Sequence, residues 1–480
     1  MSTDNTFKEI FPHSNACVFQ WNYPIINLGR NEYRNCCRTG PSSRLNEADL
    51  KKHGSQLILN SPDEREKRAR MLLGEKISSC SSCWRLEEKN MLSPRVDHSF
   101  FPHELEESAD DILKLKAAKT IDEKVKILSN SSLTYSKKVN MLEISLKNTC
   151  DMQCMYCSHH YSSKWATDKI KRREILPYQM SFELPKAHPE FKEQLTKWFK
   201  EEGAHTVNYI NFIGGEPTLI EDYYELSLLY GEVLAKLERK HVTISVVTNL
   251  NCTPKVMEKF CQHLVKLSEY FSYVDINVSM EAFGTRAEYI RKELNWDRWM
   301  RNLETLLKLP IKNGCVSAQM ATNILSISTL PDLLKLYGDL ATKYSFPIHL
   351  RQNVVTDPAA HSPMLLTSDF SIYLEKAIDI INEYSVFADS LAISESEKNY
   401  RSWHKYQIFL NQLKSTIDGR QHLSRSEKKI ISSFFNRHDN RQAQSIYTVF
   451  PEYSEFFAAC SVKNSQLRRD IIKKIKNIFN

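Results

Sequence analysis

From Met141 onward the chain alternates two rhythms. Short β-branched runs recur at "MLEISL" (141–146), "VNYINFIG" (207–214), "VTISVVTN" (242–249), "VDINVSME" (274–281), "CVSAQMATN" (315–323) and "PIHLRQNVV" (347–355). Between them lie stretches with apolar residues at helical spacing, such as "YYELSLLYGEVLAKLERK", "WDRWMRNLETLLKL" and "LPDLLKLYGDLATKY". Strands alternating with helices predict a parallel α/β sheet with helices packed on it. Six such units, where a full barrel has eight, predict a partial (β/α)6 TIM-like barrel over residues 139–364. After it, residues 365–480 show only helical patterns and form a helical C-terminal region. Its last stretch, "QLRRDIIKKIKNIF", places Leu467, Ile471, Ile475 and Ile478 on one face, as a helix that packs on the protein does. Before the barrel, residues 1–102 read as an irregular, cysteine-rich module and 103–138 as a charged helical connector. Within the module, "SPDEREKRARMLLGE" has the Ser-Pro start and Gly74 end of a short helix.

Composition narrows the class. The 480 residues are 41% hydrophobic and 26% charged, a globular balance. A net charge of +7 over this length is mild and does not by itself indicate nucleic acid. There is no apolar run of about 18 residues or more, so no membrane partner is expected. The N-terminus "MSTDNTFKEIFPH" lacks the features of a secretory signal, and a cytoplasmic location is expected. Thiols stay reduced there, so the twelve cysteines favour metal binding over disulfides. Cys252, Cys261, Cys315 and Cys460 stand alone and read as buried apolar residues.

The densest chemistry is "NTCDMQCMYCSHH", where Cys150, Cys154 and Cys157 have the spacing C-x3-C-x2-C just after the first strand of the barrel. That end of a barrel strand is where active sites are built. Thiolates bind zinc or iron–sulfur clusters, which usually take four protein ligands. Three cysteines anchor three irons of a cubane and leave the fourth open to an outside ligand. The other reading is a zinc site completed by His159, His160 or a remote cysteine.

C-x3-C-x2-C with Tyr156 before the last cysteine resembles the signature of the radical S-adenosylmethionine (SAM) superfamily. Further motifs agree in order: "IGGEP" at Gly214, Gly215, Glu216 and Pro217, "VVTN" at Asn249, "NVSME" at Ser279 and Glu281, and "EYIRKELNW" at Arg291. The resemblance implies a [4Fe–4S] cluster on the three cysteines, with SAM as its missing ligand. It implies that Glu216 accepts from the methionine ammonium and Arg291 holds its carboxylate. Ser279 and Glu281 then meet the ribose hydroxyls, while Tyr156 and Asn249 also line the cofactor. A flavodoxin- or ferredoxin-type donor would supply the electron. SAM would be cleaved reductively to a 5′-deoxyadenosyl radical that takes hydrogen from a substrate. A peptide or protein is the favoured substrate, a small molecule the other.

The cysteines Cys17, Cys36, Cys37, Cys80 and Cys83 resemble half of a Twitch/SPASM auxiliary-cluster module, which normally follows the barrel. "SSKW" (162–165) and "DNRQAQSIYTVFPEY" (439–453) fit the same subgroup. Six residues separate Gly29 from Cys36 where the family usually has four, so either Cys36 or Cys37 is the implied ligand. The resemblance implies a second, auxiliary iron–sulfur cluster; four cysteines make a structural zinc site equally well. The alternative for the whole chain is a non-catalytic zinc or iron–sulfur module contacting RNA or protein. The basic stretch from Lys169 to Phe199 is expected as an insertion between the first two barrel strands.

Overall fold

The computed structural model describes residues 15–36, 39, 43–44, 59–88, 91, 93, 95, 109–136, 138–176, 189–391, 402–441 and 444–463. Cys37, the middle of the Lys169–Phe199 insertion and the "QLRRDIIKKIKNIF" stretch lie outside the described residues.

Each of the six β-branched runs is a strand, and these are best labelled together with the shorter ones. In chain order the strands are β1 (Pro24–Asn27), β2 (Glu32–Asn35), β3 (Ser43–Arg44), β4 (Met141–Ser145), β5 (Gln153–Cys154), β6 (Tyr209–Ile213), β7 (Thr243–Thr248), β8 (Tyr273–Ser279), β9 (Arg291–Lys292), β10 (Gly314–Thr322) and β11 (Ile348–Val354). One sheet runs in the order β11-β10-β8-β7-β6-β4-β1-β2-β3, and β5 pairs with β9 separately. Within the large sheet all pairing from β4 to β11 is parallel, whereas β5 and β9 pair antiparallel.

The sheet's two faces differ. In a strand, alternate side chains point to opposite faces. One face carries Leu142, Ile144, Ile210, Phe212, Ile244, Val246, Val274, Ile276, Val316 and Ile348, all in the main apolar core with the helices. The other carries Glu143, Tyr209, Asn211, Ser245, Asp275, Asn277, Ser317 and Arg351, bonded to one another. Asp275 accepts from Tyr209 Oη (2.8 Å), Ser245 Oγ (3.3 Å), Asn277 Nδ2 (3.2 Å) and Ser317 Oγ (2.7 Å). Arg351 of β11 also reaches the Tyr209 hydroxyl of β6 at 3.1 Å. These strands are four places apart, which is about 19 Å in a flat sheet. The contact therefore requires the sheet to curl, with the polar face inside, as in a partial barrel.

Helices form the outer layer, each with ordinary punctuation. The helix Trp296–Leu306 starts on Asn295, whose side chain accepts from Arg298 N, and buries Trp299, Leu303 and Leu306. The C-terminal region is helical as expected, with Ser371–Ser390, Trp403–Asp418 and Arg425–Asp439. The connector holds the helices Ala109–Ala117 and Ile121–Asn130.

The N-terminal module is less irregular than expected. Its hairpin β1–β2 continues the barrel sheet, because Ile25 pairs in parallel with Glu143 and Ile26 with Ile144. Gly29 lets this happen: a Cβ there would lie 2.8 Å from Leu146 O. The predicted helix is Pro62–Leu72, capped by Ser61 and ended before Gly74 at φ +90°. Arg68 on it is fully buried and donates to the carbonyls of Gln20 (2.7 Å), Leu59 (2.7 Å) and Thr134 (2.9 Å). One guanidinium thus ties the turn before the hairpin, the segment before its own helix and the connector together.

Candidate active site

The segment Asn148–Ser163 leaves β4 and carries the three cysteines at the C-terminal edge of the sheet. Two devices hold it. Its centre pairs with β9, Cys154 opposite Arg291, and Met155 N donates to Ile290 O (2.9 Å). Its start lies against the end of β6, where Gly215 N donates to Lys147 O (2.8 Å) and Glu216 N to Thr149 O (2.7 Å). A Cβ on Gly215 would sit 2.2 Å from Thr149 O. The second glycine of "GGEP" is therefore required by the approach of two backbones to one another.

Glu216 is 1% exposed. Its Oε1 accepts from Thr218 N (3.2 Å), Thr218 Oγ1 (2.7 Å) and Thr248 Oγ1 (2.7 Å), and its Oε2 from Asn249 N (2.7 Å). Burial pushes its pKa up to about 7, against the pull of these donors. The carboxylate clamps the ends of β6 and β7 together, and Oε2 keeps capacity for a further donor. Asn249 turns its amide to Asp151 Oδ1 (2.8 Å) and lies 3.9 Å from Cys150 Sγ. Asn251 adds a bond to Asp151 Oδ2 (3.2 Å), so this acid next to Cys150 is occupied by two amides.

On the other side of the loop, Arg291 is 3% and Glu281 1% exposed, and they form an ion pair at 2.5 Å. Arg291 Nε also contacts both Glu281 oxygens at 3.1 Å, and Tyr156 Oη donates to Glu281 Oε2 at 3.0 Å. The remaining arm, Nη1, lies 3.8 Å from Cys154 Sγ. The glutamate's charge outweighs desolvation and holds the guanidinium well above its ordinary pKa. Ser279 ends β8 half-buried. His159 and His160 lie with ring centroids 4.0 Å apart and tilted by 35° in the turn after Cys157, and Lys169 Nζ lies 3.2 Å from His159 Nδ1.

All three thiols are half-buried, and desolvation raises each, Cys154 to about 12 and Cys157 to about 11. No three His, Cys, Asp or Glu side chains among the described residues already converge on a metal position. The donor set nonetheless fits an iron–sulfur cluster: three soft ligands on one loop, with amide and guanidinium N–H groups beside the sulfurs. A cationic arm near Cys154 and a spare carboxylate oxygen at Glu216 also suit an amino-acid moiety.

The N-terminal cysteines gather elsewhere. Cys17, Cys36, Cys80 and Cys83 are 4, 5, 6 and 5% exposed. Cys17, Cys36 and Cys80 share an apolar cluster with Phe19, Trp21, Met71 and Trp84. Burial and the neighbouring Cys80 and Cys83 both push the Cys17 thiol up, so these three lie close together. Cys36 takes a positive φ of 84°. Of the isolated cysteines, Cys252 and Cys460 are buried in the main apolar core as expected. Cys261 is only half-buried, and Cys315 faces the polar interior, 3.3 Å from Asp275 Oδ1.

Sequence reasoning missed three sets of residues. Thr218, Thr248, Asp151 and Asn251 support the motif residues; Asp151 and Thr248 stand inside the quoted motifs without an assigned role, and Thr218 and Asn251 stand just outside them. The barrel interior was written in the strict alternation of "VDINVSM", whose polar positions are Asp275, Asn277 and Ser279. His361 left no sequence signal. It is fully buried, and neither ring nitrogen has a hydrogen-bond partner among the described residues. It packs edge-on to Tyr156 (6.4 Å) and Phe434 (4.4 Å), joining the site to the C-terminal helices.

Residues 144–336 match the family model described as Radical SAM superfamily. No curated protein sequence matches. Among solved structures, one similar chain is described as native anSMEcpe with bound AdoMet, at 17% identity and TM-score 0.34, covering 55% of this chain and 63% of that one. Another is Streptococcus suis SuiB, at 16% identity and TM-score 0.34, covering 67% and 63%. SuiB bound to precursor peptide SuiA gives 15% identity and TM-score 0.36, covering 71% and 72%. The chain thus spans less than two thirds of the first two.

Proposed function

Residues 144–336 match the radical SAM family model, and we propose that the chain is a radical SAM enzyme whose Cys150, Cys154 and Cys157 hold a [4Fe–4S] cluster. The observation that carries the reading is the packing of "GGEP" and Asn249 directly behind the cysteine loop, with Arg291 and Glu281 in front of it. When bound, the cluster and SAM supply a 5′-deoxyadenosyl radical for hydrogen abstraction.

The chain's own residues then position and shield. Asn249 and Arg291 direct N–H groups at the sulfurs of Cys150 and Cys154. Glu216 Oε2 takes the methionine ammonium, and Arg291 Nη1 its carboxylate. Ser279 and Glu281 at the end of β8 face the ribose, and Tyr156 backs the cofactor. Gly214 and Gly215 act indirectly, by letting the loop approach β6.

Cys17, Cys80, Cys83 and either Cys36 or Cys37 would hold an auxiliary iron–sulfur cluster of Twitch/SPASM type. Its module spans residues 1–102, the connector 103–138, the barrel 139–364 and the helical region 365–480. The electron donor would be a flavodoxin- or ferredoxin-type protein of the cytoplasm. The substrate would be a peptide or protein, or else a small molecule.

The test is iron and sulfide per chain after anaerobic reconstitution, for the wild type and for Cys150/Cys154/Cys157→Ala. The wild type should hold roughly twice the iron of the triple variant, as two cysteine-bound cubanes require. It should also form 5′-deoxyadenosine from SAM under dithionite, and the variant should not. A variant without iron removes the auxiliary cluster. A wild type that takes up zinc but no iron removes the radical reading itself.

A further inference from the structure

Three residues separate Cys150 from Cys154. Met152 and Gln153 are buried, while Asp151 is half-buried and reaches the turn after β7. Its Oδ1 accepts from Asn249 Nδ2 (2.8 Å) and its Oδ2 from Asn251 Nδ2 (3.2 Å). Both asparagines are tied down in turn. Asn249 N donates to Glu216 Oε2 (2.7 Å), and Asn249 Oδ1 accepts from Asn251 N (2.8 Å). Asn251 Oδ1 accepts from Asn295 N (3.0 Å), and its Nδ2 is shared with Glu293 O (3.0 Å). The carboxylate is therefore held in one place beside the cysteine loop.

Its partners carry no charge. Asp151 forms no ion pair among the described residues. Two guanidinium groups of the neighbourhood are committed elsewhere: Arg291 pairs with Glu281 at 2.5 Å, and Arg298 Nη1 donates to Asn251 O at 3.2 Å. Amides fill the lone pairs of a carboxylate without neutralising it. Asn249 Nδ2 also lies 3.9 Å from Cys150 Sγ, so one amide group spans carboxylate and sulfur.

Two effects on a cluster held at Cys150 then oppose each other. An N–H directed at the sulfur raises the reduction potential, and a negative charge beside it lowers the potential. The N–H contact is long. A unit charge about 7 Å away, at an effective dielectric of about 20, shifts a one-electron equilibrium by about tenfold or more. The charge is the larger effect.

We propose that Asp151 is a positioning residue that holds Asn249 at Cys150, and that its charge lowers the potential of the cluster bound there. The proposal rests on the radical SAM reading. Three thiolates make such a site net negative before any electron arrives from the donor protein. Asp151 makes the addition of that electron harder, and the electron once added is the stronger reductant for a carbon–sulfur bond.

The experiment is an EPR-monitored redox titration of the whole reconstituted chain. It is run with and without SAM, so that the signal responding to SAM marks the Cys150–Cys157 site. Wild type, Asp151→Asn and Asp151→Glu are compared, with iron content and melting temperature measured on the same samples. Asp151→Asn should give about tenfold more reduced cluster at a fixed applied potential, a rise in midpoint of about 59 mV for one electron. Asp151→Glu keeps the charge and should stay within about threefold of the wild type. A loaded Asp151→Asn protein with its midpoint at or below that of the wild type overturns the proposal, as does an equal rise in Asp151→Glu. If Asp151→Asn takes up no cluster at this site, Asp151→Ser is read in its place by the same criteria. If both neutral variants stay empty, Asp151 serves cluster assembly and not potential, which also overturns it. A wild type without a SAM-responsive signal removes the radical reading and this proposal together. A wild type with that signal, beside an unmoved midpoint in Asp151→Asn, removes this proposal alone.

Discussion

The two cysteine groups of this chain use the same side chain in opposite surroundings. Cys17, Cys36, Cys80 and Cys83 are shut inside the protein, three of them sharing one apolar cluster with Trp21 and Trp84. Cys150, Cys154 and Cys157 are half-buried on a loop, with Asn249 and Arg291 reaching two of their sulfurs. Desolvation raises the thiols in both places, so in both a metal's charge would have to drive deprotonation. The difference lies in access. A closed site can hold or pass an electron without meeting a substrate, whereas an open one with polar groups around it can admit a ligand. Position relative to the sheet decides this: the first group sits behind the hairpin, the second at the strand ends where active sites are built.

The comparison breaks most sharply at Arg68. Arg68→Met leaves three buried carbonyls without a donor, at about 1–3 kcal/mol each. Hydrogen exchange should show amides of Gln20–Asn35 and Pro62–Leu72 losing protection while those of β6 and β7 keep theirs. Equal loss in both would mean that the hairpin and barrel unfold as one unit.

On the barrel side the corresponding variant is Arg291→Met. It strands Glu281, a buried carboxylate, and should cost about 3–5 kcal/mol by denaturant unfolding. Affinity for SAM, followed by equilibrium dialysis, should fall by about a hundredfold or more. The N-terminal thiols should keep their slow reaction with a maleimide reagent.

Acid should separate the regions more gently. Burial lowers His361 and His438 to about 3 in the folded state, against an ordinary value of 6.5. Between those values the unfolded chain binds protons that the folded one does not. Stability is therefore full above about pH 6.5 and falls by about 1.4 kcal/mol per pH unit for each histidine as the pH drops. His361→Phe should remove one such slope. The described N-terminal residues contain no histidine, so limited proteolysis at pH 5 should cut the C-terminal helices before the module.

Much of this was legible before the fold. The six barrel strands follow from local pattern, and the cysteine loop and "GGEP" from spacing. What sequence pattern could not reach was contact between distant segments. "PIIN" is too short to announce β1, and its partner β4 lies beyond the whole connector. The role of Gly215 depends on Thr149 O, which no spacing predicts. Cys315 looked apolar because its neighbour Asp275 belongs to another strand. His361 is notable only for bonds it does not make, which a sequence cannot display.

The pairing of β1 with β4 also has a consequence in time. Tyr23 reaches Glu143 at 2.8 Å across 120 residues of chain. At about 5–20 residues per second, the hairpin leaves the ribosome roughly 6–24 s before its partner strand. During that interval β1 is an uncovered sheet edge, and Cys17 and Cys36 have no finished core over them. In that window the N-terminal thiols are at their most accessible; afterwards the apolar cluster that includes Ile112, Leu115, Leu128 and Leu133 of the connector shuts them in.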